Sequence, residues 1–385
     1  MPKVILLLDL SEEYGKNLLK GITSYIKEND PWISCRMPVS YRMKYGVKWI
    51  LDWAIKWEAD GIIGLFESKS EVNIFTDEGI AVIAQDFKER IKGVPVITGA
   101  YYETGKIGAE YFLKNGYRNF AFYGFNNIVW SRERAQGFED TIKKHGHKVH
   151  YFEHPKSRSS ELWYYGPSYL SEWIASLPKP IALMACDDNQ GQHIAEACKL
   201  TGIRIPEDLA VLGVDNDEMV CSISDPPLSS IELDSKTGGY EAAALMRELI
   251  KNKKTNASNI VVKPTQLVVR RSSDFYSTKD PYVKIALSFI HENINKNLNV
   301  SDVLEQVPLS RRAMEQRFLK VTGYSPYKYI CHLRVEKICQ QLLETDKTIF
   351  EIALDTGFED SKNMSRLFKG LRGCTPNKFR KKILI

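Results

Sequence analysis

Short, nearly continuous apolar runs recur through the front of the chain: Val4 to Leu8, Gly61 to Leu65, Ala81 to Ala84, Phe120 to Tyr123, Ile181 to Ala185 and Ala210 to Val214. Runs of this kind, without alternation, are the mark of strands covered on both faces. Segments of helical period separate them, and a strand and helix alternation predicts an α/β fold with parallel sheets. About 275 residues precede the change of pattern described next, enough for a two-lobed body with substantial cores. In open sheets of this class ligands sit off the carboxyl ends of the strands. The residues there are Asp9, Phe66-Glu67, Gln85-Asp86, Phe125, Asp187-Asp188 and Asp215-Asn216. So many acids and amides suit a polyhydroxylated ligand, whose hydroxyls need acceptors and donors but no opposite charge.

The period changes after Asp280. A short apolar helix from Val300 runs to a turn at Pro308, and a second helix begins after Ser310, a residue suited to cap it. The plan repeats further on. Ile349, Ile352 and Ala353 form one helical face, Gly357 breaks that helix, and Ser361 to Gly370 supplies another with Met364, Leu367 and Phe368 on its apolar side. Between the two units an amphipathic helix from about Pro326 to Leu343 sets their spacing. The tail is therefore expected to be all-α, with two helix-turn-helix motifs.

Charge sharpens this expectation. Residues 281–385 hold 18 Lys and Arg against 11 Asp and Glu, a balance of +7, whereas the whole chain carries only +5. The excess lies entirely in the tail, as expected of a module that neutralises phosphates. Charge alone would equally describe a solvated helix surface; two helix-turn-helix patterns beside it favour double-stranded DNA as partner. Exposed side chains at the start of each reading helix reach base edges or phosphates. These are Ser310, Arg311, Arg312, Glu315 and Gln316 in the first, with Ser361, Lys362, Asn363 and Arg366 in the second. Arg317 has a competing role as partner of an acid within its own domain. Lys378, Arg380, Lys381 and Lys382, near the end, are expected to face phosphate or solvent.

The tail resembles the AraC-type DNA-binding domain over roughly Asp280 to Lys382. Ser310, Arg317-Phe318, Gly323, Pro326, Arg334 and Leu342 carry the resemblance in the first half. Glu351-Ile-Ala353, Gly357-Phe358, Ser365-Arg366, Phe368-Lys369, Gly373, Thr375-Pro376 and Phe379-Arg380 carry it in the second. It implies two reading helices entering successive major-groove segments on one face of DNA. Met364 stands where that family usually has an aromatic residue, a change expected to alter packing only.

The front resembles the LacI and periplasmic-binding-protein type of sugar sensor over roughly Lys3 to Arg271. The carriers are Asn115 to Gly124, Arg132 to Phe138, Ala185 to Asn189, Gly202 to Asn216 and Leu228 to Ile231. By that resemblance Arg134, Asp187 and Asp215 fall on ligand-contacting positions, Asp9 joins them at the rim, and Trp163 is a candidate platform for a sugar face. Each has a structural rival. Asp188 is expected to cap the helix that follows it, Asp215 could brace its loop, Arg134 could pair with Glu133 or Glu139, and Trp163 could simply pack among its aromatic neighbours. Where the family often has Asp-Asn this chain reads Ala100-Tyr101, so one contact there is expected to differ.

Other classes find little support. The N-terminal apolar run is ended by Asp9 and does not read as a secretory signal, and no run reaches membrane-span length. Seven cysteines are scattered without Cys-x-x-Cys spacing, so neither a zinc cage nor a disulfide framework is expected, and they read as core residues of a cytoplasmic protein. His145, His147, His150 and His154 lack metal-ligand spacing and are expected at the surface. No Walker loop, nucleophile elbow or paired catalytic carboxylates can be placed, so neither an enzyme nor a cofactor or metal site is expected. Residues 1–271 are assigned to the sensor, 272–280 to a linker and 281–385 to the DNA-binding domain. The pairing resembles a family of bacterial regulators of pentose-use operons. It implies a transcription activator with D-xylose as effector; a homodimer is expected, with RNA polymerase as partner if it activates. The alternatives are a regulator of the same architecture sensing another sugar or acting as a repressor, or a sugar-binding transport component.

Overall fold

The computed structural model describes residues 1–29, 31–115, 117–152, 167–252, 258–274, 280–322 and 324–383. The chain divides into two compact units, Met1–Phe275 and Tyr276–Ile385. The strands of the first, in chain order, are β1 (Lys3–Leu7), β2 (Ile33–Arg36), β3 (Gly61–Leu65), β4 (Ala81–Gln85), β5 (Val96–Gly99) and β6 (Phe120–Tyr123), then β7 (Val149–Tyr151), β8 (Ile181–Ala185), β9 (Leu209–Val214), β10 (Ser229–Leu233), β11 (Ile260–Val262) and β12 (Pro264–Val268). They form two six-stranded sheets, ordered β11-β5-β4-β3-β1-β2 and β12-β10-β9-β8-β6-β7. All pairings are parallel except β10 with β12, so the expected parallel architecture holds with one antiparallel edge.

Among the described residues nine helices of this unit flank the sheets: α1 (Glu13–Glu28), α2 (Val39–Lys56), α3 (Lys69–Asp77), α4 (Tyr101–Lys114), α5 (Val129–Lys144), α6 (Pro167–Ser176), α7 (Asp188–Thr201), α8 (Glu218–Ile223) and α9 (Ser235–Asn252). The six apolar runs of the sequence are central strands, and Gly61–Leu65 and Ile181–Ala185 are buried at every position. Burial on both faces removes the polar face that alternation would have revealed. The chain crosses between the sheets after β5, after β10 and between β11 and β12. These crossings are tied together, with the Ala100 amide donating to the Val262 carbonyl at 2.8 Å and the Asp234 amide to that of Lys263 at 2.9 Å. Two lobes thus share one three-stranded hinge.

Close packing at the hinge side positions the site. A Cβ on Gly105 of α4 would lie 1.9 Å from the Arg134 carbonyl, and one on Gly137 of α5 1.9 Å from that of Tyr102. The two helices therefore touch backbone to backbone, which no larger residue permits, and this sets Arg134 beside Tyr101.

The second unit is all-α: α10 (Pro281–Asn293), α11 (Val300–Leu304), α12 (Arg311–Thr322), α13 (Pro326–Glu344), α14 (Ile349–Asp355), α15 (Ser361–Arg372) and α16 (Pro376–Ile383). It has two cores. Phe318, Met314 and Tyr329 pack with α10 and α11 in the first, and Val335, Ile338, Ile352, Met364 and Phe368 form the second. α13 contributes Ile330 to one and Leu342 to the other. Met364 is fully buried, consistent with the packing role expected of it. Among the described residues no helix is long and apolar enough to cross a membrane.

Candidate functional site

The lobes of the first unit face each other across the loops at the carboxyl ends of β1, β4, β6, β8 and β9, and Arg134 is at the centre. It is 3 % exposed. Its guanidinium donates to the Cys186 carbonyl and, at 3.4 Å, to Asp215. It also lies 5.1 Å from the centre of the Trp130 ring and 5.7 Å from that of Tyr101. Two ring faces and one carboxylate hold a cation that burial would otherwise make very costly. The surface pairing weighed for Arg134 does not occur; Glu133 reaches Arg90 on the opposite lobe, at 2.8 Å.

Around this cation stand more acids than one charge can neutralise. Burial, reinforced by Asp187, Asp215 and Asp9, raises the Glu12 carboxyl to about 8 against the pull of Arg134. Asp187 is raised to about 6, again by burial first, with its bond from the Gln190 amide acting the other way. Burial likewise raises Asp215 and Asp86. Several polar atoms here have no protein hydrogen-bond partner among the described residues: Tyr14 Oη, Gln85 Oε1, Asp86 Oδ1 and Arg134 Nε. A buried polar atom without a partner costs about 1–3 kcal/mol, so a group of them calls for a ligand that offers both donors and acceptors.

The backbone at this point is unusual too. Asp215 and Asn216 have φ of 99° and 52°, a region that costs a non-glycine residue about 1–3 kcal/mol and is concentrated at ligand sites. Besides Arg90 with Glu133, Lys16 pairs with Asp217 at 3.4 Å and the Val129 amide donates to the Phe87 carbonyl at 2.7 Å across the cleft, while Arg90 also reaches Asp86 at 3.1 Å within its own lobe.

The sequence expectations meet this geometry unevenly. Arg134, Asp187 and Asp215 come together, and Asp9 lies close enough to act on Glu12, while its own carboxylate also accepts from the Ser11 amide and hydroxyl. Trp163 and His154 lie outside the described residues. Asp188 does not cap α7: Asp187 does, accepting from the Gln190 amide at 2.7 Å. Asp188 is instead buried, accepting from Ser230 Oγ at 2.6 Å and from the Asp217 amide at 2.7 Å. The helix begins one residue earlier than periodicity suggested, at Asp188 and not at Asn189, which exchanges the two roles. Phe66 leaves the expected rim, since it is fully buried in the lobe core, and Glu67 pairs with Lys88. Tyr101, at the departure from the family pattern, is a buried ring against Arg134. Glu12, Tyr14 and Trp130 were missed; Glu12 stands at the N-cap and Tyr14 in the first turn of α1, within five residues of Asp9, and that adjacency was the available signal.

In the second unit the reading helices present their polar faces. Arg311, Arg312, Gln316, Lys362 and Arg366 are exposed. Glu315 pairs with Arg311 at 2.9 Å. Ser310 caps α12, accepting from the Ala313 amide at 3.4 Å. Ser361 is the first residue of α15, and Asn363 is tied to the cap Asp360 by its amide at 2.7 Å. Arg317 takes the intradomain role, pairing with Asp280 at 3.1 Å. Arg380 is a correction: it donates to the carbonyls of Leu342, Thr345 and Lys347, closing the end of α13 instead of facing phosphate. A similar clamp joins the two helix-turn-helix units, where Arg334 donates to the Lys296 carbonyl at 2.8 Å and lies over the Phe358 ring at 5.1 Å. Gly357 is required beside it, for its φ is 77° and a Cβ would meet the Lys296 carbonyl at 2.2 Å.

Comparison with known proteins fits this division. The model of a periplasmic binding protein-like domain matches residues 109–273, and that of a helix-turn-helix domain matches 303–382. The chain is similar to the xylose operon regulatory protein of Escherichia coli (strain K12), with 25% identity over 98% of this chain and 96% of the relative. Its similarity to the protein of the same name from Haemophilus influenzae is 26%, over 98% of both chains. Among solved structures, a xylose-binding transcription activator aligns over 98% of this chain and 97% of its own, at 24% identity and a TM-score of 0.65. A transcriptional regulator in complex with cellobiose aligns over 71% of this chain and 84% of its own, at 19% identity and a TM-score of 0.58. By name these relatives are transcription regulators.

Proposed function

We propose that this chain, a transcription regulator joining a periplasmic binding protein-like domain to tandem helix-turn-helix motifs, is switched by D-xylose bound in the cleft between its sensor lobes. The observation that carries the reading is the buried Arg134 with its surplus of carboxylates and unpartnered polar atoms. A neutral sugar supplies hydroxyl donors to Glu12, Asp187 and Asp215 and hydroxyl acceptors to Arg134 Nε and Tyr14 Oη, and it brings no charge of its own. The names of the full-length relatives favour xylose among sugars.

Within this reading the sensor covers residues 1–271, a linker 272–280 and the DNA-binding domain 281–385. Sugar favours the arrangement in which both lobes contact it, and it shifts the equilibrium only by its differential affinity for the two arrangements. The protein acts in the cytoplasm as a homodimer that activates pentose-use genes by presenting four helix-turn-helix motifs to promoter repeats and contacting RNA polymerase. Ser310, Arg311, Arg312, Glu315 and Gln316, with Ser361, Lys362, Asn363 and Arg366, form the DNA surface. Calorimetric titration of the full chain with D-xylose, L-arabinose, D-ribose and D-glucose tests the reading. Selective, saturable xylose binding, weakened in Asp215→Ala without loss of DNA binding, is expected. Preference for another sugar would overturn the effector, and silence from all four would overturn the sensor.

A further inference from the structure

The strained turn at Asp215 is not held by its own neighbours. The Asp215 amide donates to the Ile231 carbonyl at 2.9 Å, the Asn216 amide to Ser230 Oγ at 2.9 Å, and the Asp217 amide to Asp188 at 2.7 Å. All three bonds act on the backbone of the turn. The Asn216 side chain is gripped from the far end of the unit, where Arg270 Nη2 donates to Asn216 Oδ1 at 2.8 Å. Arg270 is itself locked: Nη1 donates to the Leu228 carbonyl at 2.9 Å and its amide to Ser229 Oγ at 2.7 Å. Two residues on, the Ser272 hydroxyl donates to the Val211 carbonyl at 2.7 Å and the Val211 amide returns to the Ser272 carbonyl at 2.8 Å. The segment leaving β12 is thereby stitched to both β9 and β10.

We infer that Arg270 is a positioning residue for the effector: it holds the Asp215-Asn216 turn in its left-handed conformation and so aims the Asp215 carboxylate into the cleft. This rests on the functional reading above. The chemistry of the grip fits the role. Arg270 bonds the Asn216 amide oxygen and not a carboxylate, so it fixes geometry while Asp215 keeps its charge for Arg134 and the sugar. A fork with two donors on separate acceptors also resists rotation of the turn in a way a single flexible ammonium does not.

The test is a double-mutant cycle read by calorimetry with D-xylose on the full chain. Arg270→Gln is expected to weaken xylose binding by about tenfold, with Arg270→Lys intermediate. Asn216→Gly, which tolerates the left-handed backbone and removes the acceptor, is expected to weaken it comparably. The double variant is expected to bind no worse than the weaker single, because both remove one interaction. A purely structural role for Arg270 predicts additive losses, and additivity overturns the assignment. So does undiminished binding in Asn216→Gly, the variant that decides the matter if Arg270→Gln does not fold. If the wild-type chain takes up none of the four sugars, the functional reading falls and this assignment with it. If the wild type binds and both variants bind equally well, only the assignment falls.

Discussion

The two units of this protein use buried polar residues in opposite ways. In the sensor, Arg134 and Asp187 are withdrawn from water, the Asp187 and Asp215 carboxyls are raised, and Arg134 Nε, Tyr14 Oη, Gln85 Oε1 and Asp86 Oδ1 have no hydrogen-bond partner among the described residues. In the DNA-binding unit the withdrawn cations, Arg334 and Arg380, give terminal donors to backbone carbonyls, although Arg334 Nε too has no partner among the described residues, and the side chains offered to a partner stay in solvent. A small neutral ligand is recognised by replacing water around groups already desolvated. A polyanion is recognised by exposed cations that displace counterions. Burial therefore marks function in one unit and scaffolding in the other.

The comparison is broken most severely by removing Arg134. Arg134→Ala leaves Asp215 and Asp187 as uncompensated buried acids, and such changes cost about 3–5 kcal/mol. Loss of xylose uptake in calorimetry and a much lower melting temperature of the sensor are expected, and normal uptake would show that Arg134 is not central. Next in size is a contrast within the second unit. Arg334→Ala should destabilise that unit by about 1–3 kcal/mol, by orphaning the Lys296 carbonyl and losing the Phe358 contact. Arg311→Ala should leave stability within about 0.5 kcal/mol yet weaken promoter binding and lower its salt slope by about 1 if it contacts phosphate. Denaturation and binding measured across salt concentrations separate the two, and equal behaviour would erase the distinction drawn above.

A further effect is titrational. Glu12 binds its proton more tightly when folded, at about 8 against an ordinary 4.5, so the folded state holds more protons than the unfolded one between those values. Its contribution is fully present below about pH 4.5 and is lost as pH rises through 8. Asp187 acts in the same sense up to about 6. The melting temperature of the sugar-free protein should accordingly fall between pH 5 and pH 8. Hydroxyl donors that stabilise the ionised acids should release protons on binding, seen as a dependence of the binding heat on the buffer's ionisation enthalpy. A melting temperature flat over this range would remove Glu12 from the cleft's electrostatics.

Much of this was legible beforehand, and the misses have causes. Central strands announced themselves because burial on both faces demands unbroken apolar runs. β10 did not, although Ser229 and Ser230 are fully buried, because their hydroxyls are met by Arg270 and Asp188, partners 41 and 42 residues away. β2 is an exposed edge with no apolar signature. The tandem helix-turn-helix was the most readable part, since its caps, breaks and apolar faces are local in sequence.

By itself, then, the sequence determined what depends on near neighbours: the strand cores, the helical tail and its charge, and the acids placed after strands. The tertiary structure alone decided which of those acids share one cation, that Asp187 caps α7 while Asp188 braces a distant loop, and that Arg270 reaches Asn216. Each of those outcomes is a competition among donors and acceptors far apart along the chain. Propensity and periodicity carry no term for such pairs; only packing brings them within hydrogen-bond distance and removes the water that would otherwise satisfy them.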